Sequence, residues 1–404
     1  MTTSCYWNVF VYDDDLEILT NLKTILNDET IPGTNEKIRI RTCNDFESTL
    51  LEFDKRRIDI AIVDVKQAKP IVGAEPGTEA GEYILKRIRE KKFIPVIFFT
   101  AWPHIVKHLQ GQYVKIIEKS EDPGLIIQTI RMFVDSQLPS INRALTAHME
   151  KQQADYMWDF VSDHWNRFEG MNPYELAYVL ARRMSLSLSD EGIKTFLKEN
   201  GAPEEYFETD SLVHPMQYYV NPPIAKTPQS GDLYLGKIND VESYWCLLTP
   251  SCDLVPREKG NPPIEVAKAD LVVLTKCILL KDQPEFKEWQ EKYQSTHDLR
   301  NSKYQDLESI FSNNRRNGQS ERFVFLPGVL STPDLIIDFQ QLFVTKYENV
   351  RKEGTLKRIA TIDPPFSDSI LIKFSRYFGR VGTPDLNCAC VISKYKVEKK
   401  PENK

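Results

Sequence analysis

Five side chains suited to metal and phosphate chemistry each follow an apolar run of the sequence. The acidic pair Asp13 and Asp14 ends the first run, and Asp64, Thr100 and Lys119 end three later ones. Such runs predict buried strands of a parallel sheet, and open α/β sheets place their sites at the carboxyl ends of these strands. We therefore expect three carboxylates, one hydroxyl and one ammonium to meet at one edge of a sheet. That set can bind a divalent cation and carry a phosphoryl group.

The residue types suit a metal-assisted phosphoryl acceptor. A carboxylate is a poor nucleophile at its ordinary pKa of about 4, so its attack on phosphorus needs a cation to neutralise charge and an in-line donor. Mg²⁺ prefers octahedral oxygen ligands with few protein carboxylates and several waters, and Asp13, Asp14 and Asp64 supply such ligands. Lys119 offers a mobile charge for phosphate, and the Thr100 hydroxyl can donate a hydrogen bond to a phosphoryl oxygen.

The segments between these residues predict a doubly wound α/β fold. Asp15 is well placed to cap a helix, and capping by this acidic run is compatible with metal binding. Lys37 to Thr42 alternates as an edge strand does, whereas Glu79 to Lys91 has helical spacing. Asp122 and Pro123 open a further helix. The count is five strands that alternate with helices, which is the flavodoxin-like arrangement.

This order of residues resembles the receiver domain of two-component response regulators, over about the first third of the chain. The resemblance implies that Asp13, Asp14 and Asp64 hold Mg²⁺, that Asp64 is the phospho-acceptor, and that Thr100 and Lys119 contact the incoming phosphoryl oxygens. It also implies a histidine kinase or a kinase-like ATPase as the phosphodonor in a bacterial signalling pathway. Phosphorylation in this family alters association with a protein partner.

Three departures from the family pattern bear on these implications. The loop from Val65 to Ala80 is several residues longer than usual, and is either a contact surface for a kinase or a tolerated insertion. Ser120 follows Lys119 where the family usually has proline, so the cis bond common at that point is not expected. Ile116 takes the position of the family's switch aromatic, and the short segment from Trp102 to Gln112 predicts a reduced fourth helix.

The rest of the chain predicts two further regions. Residues 1–138 form the receiver-like domain, residues 139–212 a helical connector, and residues 213–404 a β-rich α+β effector or interaction domain. The connector either pairs two chains, carries the output or covers the next domain. In the last region, short β-like runs such as 369–374 alternate with proline pairs, and a helical stretch spans 284–311. The expected architecture is a barrel or sandwich with helical additions.

Charge and composition argue against DNA and membrane partners. The net charge is −6, and neither the receiver-like part nor the remainder has the basic excess typical of duplex binding. Local basic patches at 313–317 and 351–358 leave nucleic acid open, although such runs are more often solvated loops. No apolar stretch approaches the roughly 20 residues that span a bilayer. With seven scattered cysteines and no signal-peptide pattern, the chain is expected to be cytoplasmic. Homodimer formation stays open.

The C-terminal region contains residues that invite a catalytic interpretation. Cys252 and Asp253 follow a predicted strand, so an exposed thiol with a histidine such as His214 nearby would suit nucleophilic or metal chemistry. A turn with a buried, structural cysteine is the simpler interpretation. Cys388 and Cys390 fall on one face of a predicted strand, but no second pair completes a zinc site.

A second resemblance supplies an alternative function. The segment from Gly231 to Leu235 and the strand end at Thr249 and Pro250 are faintly similar to SH3-like barrels of the growth-inhibitor toxins, which cleave RNA. The alternative is thus a receiver-regulated effector enzyme that cleaves RNA or DNA. The leading expectation is a response regulator-like protein whose non-DNA-binding output acts through protein interaction. An enzymatic activity of the chain itself stays open.

Overall fold

The structure is a computed structural model that describes residues 6–66, 79–165, 170, 172–188, 190–199, 213–259, 264–315, 320–352, 354–380 and 386–395. The chain divides into two units, Met1–Glu208 and Thr209–Lys404. Each unit has its own hydrophobic core.

A five-stranded parallel sheet forms the framework of the first unit, with the order β2-β1-β3-β4-β5. The strands are β1 (Tyr6–Tyr12), β2 (Lys37–Cys43), β3 (Ile60–Val63), β4 (Val96–Thr100) and β5 (Val114–Glu118). The three central strands are apolar and buried, as expected of a sheet covered on both faces. This strand order is that of flavodoxin-like folds, so the predicted fold class is confirmed, with β2 at an edge.

Helices cover both faces of this sheet. Apolar side chains of α1 and α5, such as Leu22 and Phe133, share one core with the strands, whereas α2 and α3 contribute Phe53 and Ile84 to the other. The short α4 continues only into a 3₁₀ turn, Lys107–Leu109, which confirms the reduced fourth helix. The helices are α1 (Leu16–Leu26), α2 (Phe46–Lys55), α3 (Ala80–Lys91), α4 (Pro103–Val106) and α5 (Gly124–Asp135).

A helical region continues from the receiver-like part. It contains α6 (Leu138–Asp155), which runs on into a π-helical turn (Tyr156–Ser162), followed by α7 (Pro173–Ser187) and α8 (Asp190–Glu199). Arg143 fastens α6 to the start of β1: its guanidinium lies 4.9 Å from the centroid of the Trp7 ring and donates to the Tyr6 carbonyl at 3.3 Å. This cation therefore helps to attach the connector to the sheet.

The second unit is built on a seven-stranded antiparallel sheet, with the order β12-β13-β11-β8-β7-β14-β6, and a separate hairpin of β9 and β10. The β-rich α+β class is confirmed. The main strands form one sheet and not the two layers of a sandwich. The strands are β6 (Tyr219–Val220), β7 (Asp232–Ile238), β8 (Val241–Leu247), β9 (Arg257–Lys259), β10 (Ile264–Val266), β11 (Leu271–Leu279), β12 (Phe323–Leu326), β13 (Leu335–Lys346) and β14 (Leu356–Ile362).

Two sequence predictions in this unit are wrong. Residues 369–374 and 388–390, predicted as strands, are helical in α13 and α14, because short apolar runs do not by themselves distinguish the two structures. The stretch 284–311 is helical as predicted, in two helices separated by residues 297–303. The helices are α9 (Ser251–Leu254), α10 (Pro284–Thr296), α11 (Tyr304–Phe311), α12 (Tyr347–Arg351), α13 (Phe366–Gly379) and α14 (Cys388–Ile392). Within the part of the chain described, no helix combines the length and apolar character needed to cross a membrane.

Candidate functional site

Three carboxylates meet at the carboxyl edge of the parallel sheet. Asp13 and Asp14 follow β1, and Asp64 follows β3, its direct neighbour in the sheet. One oxygen of each carboxylate lies within 4.8 Å of those of the other two. Asp13 and Asp64 are buried, whereas Asp14 is exposed. No other group of three acidic, histidine or cysteine side chains in the described ranges has metal-binding spacing.

Backbone hydrogen bonds hold two of these carboxylates in place. The amide of Asp15 donates to Asp13 Oδ1 at 3.0 Å, and the amide of Val65 donates to Asp64 Oδ1 at 2.7 Å. The Asp15 side chain accepts from the Glu17 amide and caps α1, as the sequence predicts. Capping and the acidic cluster therefore use different residues of the same run.

Lys119 links two of the carboxylates from the end of β5. Its Nζ lies 2.7 Å from Asp13 Oδ2 and 2.9 Å from Asp64 Oδ2, and its side chain is 18% exposed. Burial by itself would lower the pKa of Lys119, but the hydrogen bonds to Asp13 and Asp64 outweigh burial and raise it. The ammonium thus stays protonated at neutral pH. Burial raises the pKa of Asp13, and the bond from Lys119 only partly opposes this.

Thr100 ends β4, between the strands that carry Asp64 and Lys119. Its side chain is fully buried, its hydroxyl accepts from the Trp102 amide at 3.2 Å, and its carbonyl accepts from the Lys119 amide at 3.0 Å. Thr100 therefore occupies the same edge of the sheet as the acidic cluster. A hydroxyl at this edge can donate to an anion because its proton is free to rotate.

Two further residues at this edge were not singled out from the sequence. Lys66 Nζ lies 4.3 Å from the centroid of the Trp102 ring, a cation–π contact. The signal in the sequence is positional, since Lys66 stands two residues after Asp64 and Trp102 two residues after Thr100. This contact adds a positive charge beside the end of β3.

Close packing behind Asp64 depends on a glycine. Gly81, in the first turn of α3, donates its amide to the Val65 carbonyl at 3.0 Å. A Cβ on Gly81 would lie 2.9 Å from Val65 Cα and 3.1 Å from the Asp64 carbonyl oxygen. Such distances leave no room for a side chain. The helix can therefore approach the end of β3 so closely only because this residue is glycine.

Of the three departures from the receiver pattern, those at Ser120 and Ile116 fall on described residues. Most of the long loop after Asp64, residues 67–78, lies outside the described residues. The bond after Lys119 is not among the cis bonds of the described chain, in agreement with Ser120 at that position. Ile116 is half-buried against the core to which α2 and α3 contribute.

The cysteine and histidine candidates of the second unit do not form one cluster among the described residues. Cys252 is exposed in α9 with Sγ 3.8 Å from Asp253 Oδ1, and Asp253 pairs with Lys268 at 3.3 Å. His214 caps a different segment through the Met216 amide. The structure therefore shows an exposed cysteine and not the buried one of the simpler interpretation, but among the described residues it bonds Cys252 to no histidine. Cys388 and Cys390 are exposed on a helix.

The first third of the chain has the fold of response regulator receiver domains, because its strand order and two-sided helix packing are those of this class. An additional antiparallel-sheet domain follows it. The prediction of a receiver-like domain fused to an unfamiliar C-terminal domain is thus confirmed at the level of the fold.

Solved structures similar to this chain include receiver proteins. A CheY-like receiver domain protein from Methanospirillum hungatei is 19% identical, with a TM-score of 0.26, over 33% of this chain and 96% of its own. The response regulator TrrA from Thermotoga maritima, solved with Mg²⁺-BeF, is 22% identical, with a TM-score of 0.24, over 31% and 96%. Full-length FixJ from B. japonicum is 14% identical, with a TM-score of 0.27, over 50% and 100%. No family model and no curated protein matches the sequence.

Proposed function

We propose that the N-terminal domain accepts a phosphoryl group on Asp64 in a Mg²⁺-dependent reaction. The observation that carries this proposal is the convergence of Asp13, Asp14 and Asp64 within 4.8 Å, with the Lys119 ammonium against two of them. Like charges at such distances repel unless cations neutralise them. The Lys119 ammonium and a bound metal ion together would neutralise the negative charge of the three carboxylates and of the incoming phosphate.

The residues present fit Mg²⁺. Three carboxylates from two adjacent strands supply oxygen ligands, and the exposure of Asp14 leaves access for the waters that Mg²⁺ retains. Asp13, Asp14 and Asp64 would hold the ion. When bound, it would neutralise the charge that develops on the transferred phosphoryl group.

In the phosphoryl transfer, Asp64, Lys119 and Thr100 have different roles. An Asp64 oxygen forms a bond to phosphorus while the bond between phosphorus and the donor atom breaks, and the leaving group departs with that electron pair. The Val65 amide and Lys119 hold the Asp64 carboxylate in a fixed orientation before attack. Lys119 and Thr100 then contact the phosphoryl oxygens, as charge and as hydrogen-bond donor respectively.

The same proposal gives the protein a role in two-component-like signalling. A histidine kinase or a kinase-like ATPase is the phosphodonor, and the C-terminal unit provides an output through protein interaction. Among the described residues, no cluster in that unit favours the enzymatic alternative: Cys252 has a carboxylate beside it but is bonded to no histidine. The output is thus proposed as binding and not as cleavage of RNA or DNA.

The test is labelling of the full chain by radioactive acetyl phosphate with Mg²⁺. Wild-type protein should incorporate label that is lost in Asp64→Asn and with excess EDTA, and Asp14→Ala should label more slowly. Asp54→Asn is the matched control, because Asp54 is an exposed aspartate of α2 that pairs with Lys91. It should label at the wild-type rate. Persistent labelling of Asp64→Asn at the wild-type rate would show that Asp64 is not the acceptor.

A further inference from the structure

A pocket in the second unit collects basic residues that the sequence separates widely. It has a volume of about 340 Å³ and lies between residues 222–228 and the connection from α12 to β14. Four of its lining residues are cations, namely Lys226, Arg351, Lys352 and Arg358. None of the lining residues that the structure describes is acidic. The basic patch at 351–358 is therefore part of a concave site and not a solvated loop alone.

The four cations differ in how firmly they are held. Arg358 is fixed, because its guanidinium donates to Asp232 Oδ2 at 3.1 Å and to the carbonyls of Thr227, at 3.0 Å, and Ala225. Its side chain is 20% exposed. Lys226 is exposed and has no ion pair with any other described residue. The pocket thus has an immobile guanidinium and a mobile ammonium.

Glu348 occupies the other two cations. It lies 2.9 Å from Lys352 Nζ and 3.7 Å from Arg351 Nη1, and all three side chains are exposed or nearly so. Exposed pairs of this kind contribute about 0–1 kcal/mol, so a multiply charged anion can replace Glu348 at little cost. Glu348 therefore holds these two cations only weakly.

The remaining walls of the pocket are apolar. Pro222, Pro223 and Pro228 belong to the lining, and so do the buried side chains Val350 and Leu356. Small-molecule sites combine apolar walls with a few placed polar groups and have volumes of roughly 300–1,000 Å³. Size, charge and apolar surface together suit a ligand with a phosphate at one end and a flat apolar group at the other.

We propose that this pocket binds a nucleoside phosphate, with the phosphate against Lys226, Lys352, Arg351 and Arg358 and the base against the proline wall. The net charge of −6 opposes a long duplex, whose binding depends on an extended basic surface. A single nucleotide needs only the local charge of the pocket. All lining residues of the pocket belong to the second unit, so the site adds a ligand-dependent input or output to that unit.

The experiment is isothermal titration calorimetry of the full chain with 5′-AMP at low ionic strength. Lys226→Gln/Lys352→Gln should weaken binding at least about tenfold, because two phosphate-directed charges are lost. The matched control is Lys281→Gln/Lys292→Gln, which removes the same charge from two exposed lysines of the unit that do not line the pocket. It should bind as the wild type does. Equal weakening in both double variants, or no heat with 5′-AMP at millimolar concentration, would overturn the proposal.

A third variant tests whether Glu348 opposes the binding of 5′-AMP. Glu348→Gln should strengthen 5′-AMP binding about threefold or more, because it releases Lys352 and Arg351 from their carboxylate. Unchanged or weaker binding in a folded Glu348→Gln protein would contradict the assigned site.

Two probes identify the chemistry and source of the ligand. Inorganic phosphate should bind more weakly than 5′-AMP, and equal affinity would overturn the nucleoside assignment. Hexaadenylate that bound more tightly than 5′-AMP, with the same loss in Lys226→Gln/Lys352→Gln, would support the site and identify a single strand as the source of the nucleotide.

Discussion

The ammonium of Lys119 lies 2.9 Å from Asp64 Oδ2, although the strands that carry the two residues are not neighbours in the sheet. Lys119 follows β5 and Asp64 follows β3, so the lysine side chain reaches across the end of β4, where Thr100 lies. The pair therefore closes the acidic cluster over the residue that would contact the phosphoryl group.

Replacement of Lys119 by Gln should separate metal binding from phosphoryl chemistry. Loss of the ammonium leaves the carboxylates without their cation, so Mg²⁺ should bind about three- to tenfold more tightly, which corresponds to roughly 1 kcal/mol for a partly exposed charge pair. Labelling by acetyl phosphate should fall at least about tenfold, because the phosphoryl oxygens lose a positive charge. Calorimetry with Mg²⁺ and the labelling assay measure the two effects. Lys115→Gln, in β5 just before Lys119, is the control. Unchanged Mg²⁺ affinity in Lys119→Gln would contradict this account.

Replacement of Gly81 by Ala should destabilise the first unit. The new Cβ would meet Val65 Cα and Phe98 Cε1 at 2.9 Å, and relief of such a clash costs about 1–3 kcal/mol. The end of β3 should shift as well, and Asp64 should be labelled more slowly if it is the acceptor. Gly111→Ala is the matched control, because a Cβ on Gly111 would have no heavy atom of the described chain within 4 Å beyond its own neighbours. Denaturant unfolding compares the two, and equal stability would show that α3 can move away at no cost.

Replacement of Arg143 by Ala should loosen α6 from the sheet. The variant loses the contact with the Trp7 ring and the hydrogen bond to the Tyr6 carbonyl, together about 1 kcal/mol. Amide hydrogen exchange in residues 138–155 should become faster, whereas Lys151→Ala on the same helix should leave the N-terminal half unchanged. Equal exchange in Arg143→Ala and wild type would mean that α6 is held by other contacts.

Beryllofluoride with Mg²⁺ should alter hydrogen exchange in residues 100–165. A phosphoryl mimic at Asp64 draws on Thr100 and Lys119, so movement should begin at the ends of β4 and β5 and continue through α5 into α6, in place of a switch aromatic at Ile116. A coupling of about 1–3 kcal/mol is typical of allosteric linkage. Asp64→Asn is the control. If saturating ligand changes exchange only within residues 10–120, the domain is a docking surface and not a switch.

Acid should remove stability that Asp338 gives to the second unit. Burial acts to raise the pKa of Asp338, but hydrogen bonds from Arg322 at 2.7 and 2.8 Å and from Gln340 and Gln341 outweigh it and lower the pKa below 3.8. A lowered folded-state pKa means that the stabilisation is complete above pH 3.8 and is lost as the pH falls through the folded pKa.

Asp338→Asn tests this directly. The variant should be less stable than wild type by about 2–4 kcal/mol at neutral pH, because Arg322 loses its buried partner. The difference should shrink as the pH falls below 3.8 and through the lowered folded-state pKa, where the wild-type carboxylate also becomes protonated. Denaturant unfolding at a series of pH values measures both. Asp54→Asn should show a much smaller dependence of the same sign, because the bond from Lys91 also lowers the pKa of Asp54 but solvent screens this exposed pair. A gap in Asp338→Asn that persists undiminished at low pH would refute the assignment.

The sequence by itself determined the parallel sheet and the edge at which the acidic cluster lies. Apolar runs that end in Asp13, Asp64, Thr100 and Lys119 specify buried strands, and strand direction then brings their ends together. The cap at Asp15 is equally local, because it depends on one side chain and an amide two residues on. Features that depend on residues close together in the chain can therefore be predicted from the sequence.

Only the tertiary structure decided the contacts between distant segments. That Lys119 bonds both Asp13 and Asp64, and that Lys226 shares a pocket with Arg358, follows from packing between segments far apart in the chain, for which the sequence carries no local signal. Packing also decided that 369–374 and 388–390 are helical, since short apolar runs suit either a strand or one face of a helix. Burial against the rest of the fold, and not local preference, selects between them.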